Sequence, residues 1–201
     1  MKKTLGLLSL AAATAFAAPA HAQLPNVTPF SFEVRGGLAF PTGDFGEDSG
    51  DDAGDVESGT TLGANVTFHF MPLLGIYGGY TYNRFGVENV DEIDFVDQGF
   101  NAGIRVAIPT PLIPIDPYVK AGLVYNKLGL AGDTDGLEDL IPDSDSSLGF
   151  EVGAGVGIGL GPKLSFTPQV TYTRYEPKYD GDGVDFNVEH IRVDVGLRLR
   201  L

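Results

Sequence analysis

Residues 148–160 read Leu-Gly-Phe-Glu-Val-Gly-Ala-Gly-Val-Gly-Ile-Gly-Leu and alternate without a break. Leu148, Phe150, Val152, Ala154, Val156, Ile158 and Leu160 share one parity; Gly149, Glu151, Gly153, Gly155, Gly157 and Gly159 share the other. A period of two belongs to a β-strand whose faces meet different surroundings. The run exceeds the ~9–11 residues that a tilted strand needs to cross a bilayer. Here the second face is almost bare backbone, with Glu151 as its one charge.

The pattern recurs on both sides. Phe32, Val34, Leu38 and Phe40 oppose Ser31, Glu33 and Arg35; Leu62, Ala64, Val66, Phe68 and Phe70 oppose Asn65, Thr67 and His69. Residues 74–83 are ambiguous, because Tyr and Gly occupy both parities. Phe100 to Ile108 oppose Asn101, Gly103 and Arg105, and Val119 to Tyr125 oppose Lys120, Gly122 and Asn126. Leu164, Phe166, Val170 and Tyr172 form a seventh run. Ile191 to Leu201 close the chain against Arg192, Asp194, Arg198 and Arg200. Eight strands are predicted. Short Pro-bearing connections (71–73, 109–116, 161–163) alternate with long ones (41–59, 84–97, 127–147, 176–188).

Met1-Lys2-Lys3, the apolar stretch 5–16 and Ala20-His21-Ala22 form an export signal over 1–22, followed by a leader at 23–29 and the barrel at 30–201. No later apolar run is long enough for a spanning helix.

Composition narrows the functional classes. There are 13 Lys+Arg against 27 Asp+Glu, a net charge of −14, which argues against nucleic acid as a partner. The absence of Cys removes disulfides, thiolate metal sites and cysteine nucleophiles. Most of the acid lies in the long connections. Asp44, Glu47, Asp48, Asp51, Asp52, Asp55 and Glu57 follow one another with no intervening cation. Nothing apolar and periodic between 44 and 58 is available for burial, so this loop is expected to be dispensable for folding.

Periodicity alone does not say which face points inward. A soluble lipocalin-like barrel puts apolar groups around a ligand; a membrane barrel puts them against lipid. Charges lie mid-strand on the polar face, at Arg35, Arg105, Lys120, Glu151 and Asp194, and the apolar face has almost none. Loop lengths alternate as in outer-membrane barrels, and the glycines leave room for long inward side chains. The apolar face is therefore read as lipid-facing, with outer-membrane lipid as the first partner. Tyr and Phe near strand ends (Phe40, Phe70, Tyr82, Phe100, Tyr125, Tyr172) are expected to form two interfacial girdles.

With its signal, alternating strands and acidic loops, residues 30–201 resemble the small OmpA/OmpX/OmpW-type outer-membrane barrels. Ile76-Tyr77-Gly78-Gly79-Tyr80-Thr81-Tyr82 and Val193-Asp194-Val195-Gly196-Leu197-Arg198 carry the likeness most clearly. The resemblance implies an all-β, closed, eight-stranded antiparallel up-and-down barrel in the outer membrane of a Gram-negative-type bacterium. It also implies recognition by the barrel-assembly machinery through the terminal strand. That strand ends here in Leu201, where relatives usually place Phe. No peptidoglycan-binding domain is expected after it.

Several chemistries can be weighed on the residues. His69 and His190 are the only mature histidines; neither has an inward Ser two residues away, so no catalytic residues and no enzymatic activity are expected. Asp180, Asp182 and Asp185 space oxygen ligands as calcium loops do, but lack the EF-hand glycine and glutamate. They are weak metal candidates in loops expected to be solvated, and no cofactor is expected. The acidic loops are candidate contacts for an extracellular ligand or divalent cations.

In the lumen, Glu33, Arg35, Arg105, Lys120, Glu151, Arg192, Asp194 and Arg198 are expected to form one polar network of net positive charge. Glu33 should lie level with Arg198, and Arg35 near Asp194. The leading expectation is a structural or surface-interaction protein presenting four long acidic loops. A narrow porin-like channel for small hydrophilic solutes is the alternative, and a lipid-modifying enzyme is disfavoured. Arg introduced at Val156 or Ile104 should destabilise the folded barrel by ~2–4 kcal/mol in urea titrations in bilayers. Stability equal to the parent would reverse the face assignment.

Overall fold

The computed structural model describes residues 29–45, 56–87, 90–110, 115–132, 145–177 and 187–201. The export signal, the Asp180–Asp185 run and most of the acidic loop residues lie outside them. Eight strands run up and down: β1 (Phe30–Thr42), β2 (Gly59–His69), β3 (Leu74–Val87), β4 (Val90–Ala107), β5 (Ile115–Gly132), β6 (Ser147–Gly159), β7 (Leu164–Tyr175) and β8 (Val188–Arg200). Every neighbour is antiparallel and the sheet closes on itself. The seam pairs β1 with β8 from Ser31↔Arg200 to Thr42↔Glu189, so neither strand is left with a free edge.

Alternation sets the two surfaces. The apolar parity points outward: Leu148 is 66 % exposed and Ile104 52 %, whereas Glu151 on the opposite parity is wholly buried in the lumen. At the short-turn end, Phe70 lies with Phe30 and Phe68, whose rings stand 5.0 Å apart. Phe40, Tyr82, Phe100, Tyr125 and Tyr172 lie toward the long-loop end, where Tyr80 packs edge-on to Phe100 at 5.2 Å. These positions suit rings that favour headgroup depth.

Two expectations need correction. Residues 84–97 are not a long loop, because β3 continues to Val87 and β4 begins at Val90. Their pairing runs through Arg84↔Val96 and Phe85↔Phe95, with a register shift at Gly86/Val87. The outward Arg84 and Asp94 form an ion pair across this hairpin. Charge on the outward parity and Phe on the inward one reverse the usual alternation, which disguised the strands. β5 likewise continues to Gly132, pairing Asp94 with Ala131 and Phe95 with Leu130. A three-stranded β3–β4–β5 sheet therefore projects past the other strands.

The second correction concerns burial in the first long loop. Gly43 has φ +60°, a left-handed conformation that favours glycine, and it turns the chain into a one-turn 3-10 helix, Gly43–Phe45. Phe45 then enters the mouth of the barrel and is 6 % exposed. Its ring meets Phe85 edge-on at 5.4 Å and lies 6.2 Å from Phe95. Ala39, Val124, Leu128, Tyr175 and Val188 complete an apolar layer, and Val56 packs on it from the other end of the same loop. The Glu57 amide donates to the Gly86 carbonyl at 3.0 Å. Phe45 and Val56 are single residues without periodicity, so no amphipathic pattern announces them.

The layer predicts a contrast between two changes. Phe45→Ala should destabilise by about 3–5 kcal/mol, the usual range for a buried Phe. Deleting 47–55, which spares both packed ends, should leave the heat-modifiable band on gels intact. An unperturbed Phe45→Ala barrel would show that the layer contributes nothing.

Candidate functional site

Inward residues of all eight strands fill the lumen in tiers. At the short-turn end, Arg198 Nη2 donates to Glu33 Oε2 at 2.6 Å, across the register pair that closes the barrel. Both side chains are buried. Arg200 reaches across the mouth to Asp116 at 2.6 Å, more exposed but still inward in parity. Arg105 stacks on Tyr118 with its guanidinium carbon 3.7 Å from the ring centroid, and Arg198 approaches the same ring at 5.0 Å.

The next tier follows from Tyr118. Its hydroxyl donates to Gln169 Oε1 at 3.0 Å, and Gln169 Nε2 donates to Asp194 Oδ2 at 3.2 Å. Arg35 Nε lies 3.6 Å from that same oxygen, and Arg35 Nη2 donates to Thr81 at 2.8 Å. Beside this chain stands Glu151. Its Oε1 accepts from Tyr77 at 2.7 Å, Asn101 at 3.2 Å and Lys120 at 3.3 Å; its Oε2 accepts from Arg192 at 2.9 Å. A fully buried carboxylate is tolerable only with such partners.

The eight sequence-predicted residues thus all line one lumen, but the expected single network is the Glu33–Arg198 pair and two further clusters among the described residues. One centres on Asp194 and the other on Glu151. Arg105 joins by stacking alone.

A third tier went unread in the sequence. Asp97 accepts from Asn83, Asn126 and Tyr175, each at 2.8 Å, and His190 Nε2 lies 3.8 Å from it beneath Phe85. Extending the β4 parity from Arg105 through Asn101 would have found Asp97; assigning 84–97 to a loop stopped the count. His190, just before the Ile191–Leu201 run, is fully buried.

Glycines make room for the large groups. A Cβ at Gly155 would fall 2.5 Å from the Tyr118 hydroxyl, and one at Gly122 2.5 Å from the Tyr77 hydroxyl. Each Tyr lies over backbone that has no side chain. On the catalytic question, Ser31 on β1 does meet His69 on β2, Oγ to Nε2 at 3.1 Å. That Ser is buried, however, and no carboxylate orients the imidazole among the described residues. No cluster able to hold a metal occurs among them either.

The Glu33–Arg198 pair yields a double-mutant test. Glu33→Ala should cost about 3–5 kcal/mol by orphaning a buried guanidinium, and Glu33→Ala with Arg198→Ala should recover much of it. Additive urea midpoints would mean the two charges do not interact.

Comparison with known proteins agrees with this architecture. A family model described as the outer membrane protein beta-barrel domain matches residues 8–198. The 25 kDa outer-membrane immunogenic protein of Brucella canis is 26% identical over 219 residues, covering 98% of each chain. Its counterpart in Brucella ovis is 27% identical over 214 residues, again 98% of each. The neisserial surface protein A has a similar fold, with a TM-score of 0.62 at 18% identity, covering 86% of this chain and 97% of that one. OprG of Pseudomonas aeruginosa gives 0.52 at 17%, covering 85% and 96%.

Proposed function

The chain belongs to the outer-membrane β-barrel domain family, and from that premise we propose that it has a structural and surface-interaction role rather than a transport or enzymatic one. It resides in the outer membrane of a Gram-negative bacterium. In this reading the barrel is a rigid mount, and the projecting β3–β4–β5 sheet and the acidic loops are the parts offered to the outside. An extracellular ligand or divalent cations would meet the carboxylates there.

The observation that carries the reading is the filled lumen. Eight strands leave an interior just wide enough for side chains, and here ion pairs and tyrosines reach across it, as Tyr77 does to Glu151 and Tyr118 to Gln169. The Phe45 layer then lies across its long-loop end. A barrel built this way holds its shape and has little room for solute. The name of the Brucella relatives, an immunogenic outer-membrane protein, is in keeping with exposure at the cell surface. The end of the chain fits the remaining partner: Leu201 is 56 % exposed beside the short-turn end, accessible to assembly machinery.

The test is conductance. Purified protein in planar bilayers should be electrically silent. Discrete, reproducible steps would overturn the proposal in favour of a narrow channel for small hydrophilic solutes.

A further inference from the structure

We propose that the short-turn end of the lumen is a binding site for a small oxyanion of the phosphate class, held between Arg105 and His69. The ion balance points there. Each of the other described inward cations has a carboxylate: Arg35 with Asp194, Lys120 and Arg192 with Glu151, Arg198 with Glu33, and Arg200 with Asp116. Arg105 has none within ion-pair distance among the described residues, and Glu33 at the same end is already paired with Arg198. Arg105 is only 9 % exposed, and its Nε has no hydrogen-bond partner. The register makes matters worse, since Arg105 faces Lys120 directly across β4 and β5, a like-charged neighbour. The Tyr118 ring offers a π-face but not a full negative charge. A buried cation in that position calls for an anion.

The surroundings suit one. His69, Gly75 and Arg105 follow one another in register across β2, β3 and β4. Gly75 puts no side chain between the imidazole and the guanidinium. His69 Nε2 is engaged by Ser31, while Nδ1 lies 3.2 Å from where a Gly75 Cβ would stand and so faces this space. Arg198 lies over the same Tyr118 ring as Arg105, so a second guanidinium borders this end of the lumen. The planar guanidinium fork matches an oxyanion better than a spherical halide. Access is from the short-turn side, where the Arg200 side chain is 44 % exposed; the opposite end carries the Phe45 layer. The phosphate could be free or could be the headgroup of a lipid in the adjacent leaflet.

The experiment uses the mature barrel folded in maltoside micelles free of phosphate, titrated with inorganic phosphate. The wild type should show a saturable rise in the heat-modification midpoint and a saturable shift of the Arg105 Nε–H resonance. Arg105→Gln should lose the rise and, without phosphate, be at least as stable as the parent. Arg105→Lys should bind about tenfold more weakly, because it lacks the fork. Lys163→Gln, an exposed turn cation, should respond as the wild type does. A wild type without saturable response, or an equal response in Arg105→Gln, would overturn the site. Should Arg105→Gln fail to fold, the wild-type resonance and His69→Gln decide: an unshifted Nε–H or an unweakened His69→Gln overturns it. Phosphatidylglycerol vesicles separate the sources. If they give the full shift and added phosphate gives none, the headgroup is the ligand; if phosphate still acts there, the free anion is.

Discussion

A strand in hydrocarbon has only another strand to receive its backbone hydrogen bonds. That constraint sets closure: β1 must meet β8, and the seam from Ser31↔Arg200 to Thr42↔Glu189 is where it is met. Closure in turn dictates what happens inside. With eight strands the inward half of every strand is crowded into one narrow column, and the outward half is given to lipid. Bulky residues from all eight strands cannot share that column. The chain resolves this by pairing long with absent: Tyr118 lies over Gly155, and Tyr77 over Gly103 and Gly122. The glycine column of β6 thus exists for side chains on other strands.

Polar crowding brings a second requirement. Each charge in the column is removed from bulk water and needs a partner, which closure supplies for the described lumen cations other than Arg105. The seam brings Glu33 to Arg198, and the β7–β8 pairing places Gln169 opposite Asp194. Glu151 answers two cations and two neutral donors from β3, β4, β5 and β8, tying half the barrel to one carboxylate. The interior ionic contacts therefore also define the relative heights of the strands, since a one-residue slip would turn each of these groups into lipid.

Much of this was legible because one rule governs each strand. Parity put Glu33, Arg35, Arg105, Lys120, Glu151, Arg192, Asp194 and Arg198 on one surface. Strand direction alone brought Glu33 level with Arg198. The misses occurred where that rule stops. Beyond the bilayer the outward face of β3 and β4 is no longer apolar, as Arg84 and Asp94 show, so the strands seemed to end while their pairing continued. Phe45 and Val56 are isolated apolar residues in an acidic stretch, and only the left-handed turn at Gly43 directs the first inward. The tyrosines were ambiguous for another reason: Tyr77 and Tyr80 differ by three residues, and so face lumen and lipid respectively, with the same residue type serving both.

The strong acidity of the chain lies outside the lumen, where inward cations and carboxylates nearly balance. Arg35, Arg105, Lys120, Arg192, Arg198 and Arg200 all point inward, which withdraws over half of the cations outside the export signal from the exterior. Only some of the carboxylates go with them. The remainder stand in connections such as 44–57, where no Lys or Arg is present. The charges are therefore partitioned: over half of the cations outside the export signal lie in the lumen, most of them paired there, and the excess of anions is left where water can solvate it. Adding cations to the long loops would make the net charge less negative without touching any described lumen contact, whereas removing lumen cations would strand Glu33, Glu151 and Asp194. Surface charge and barrel stability are thus separable, and the loops can vary under outside pressures while the lumen stays as closure requires.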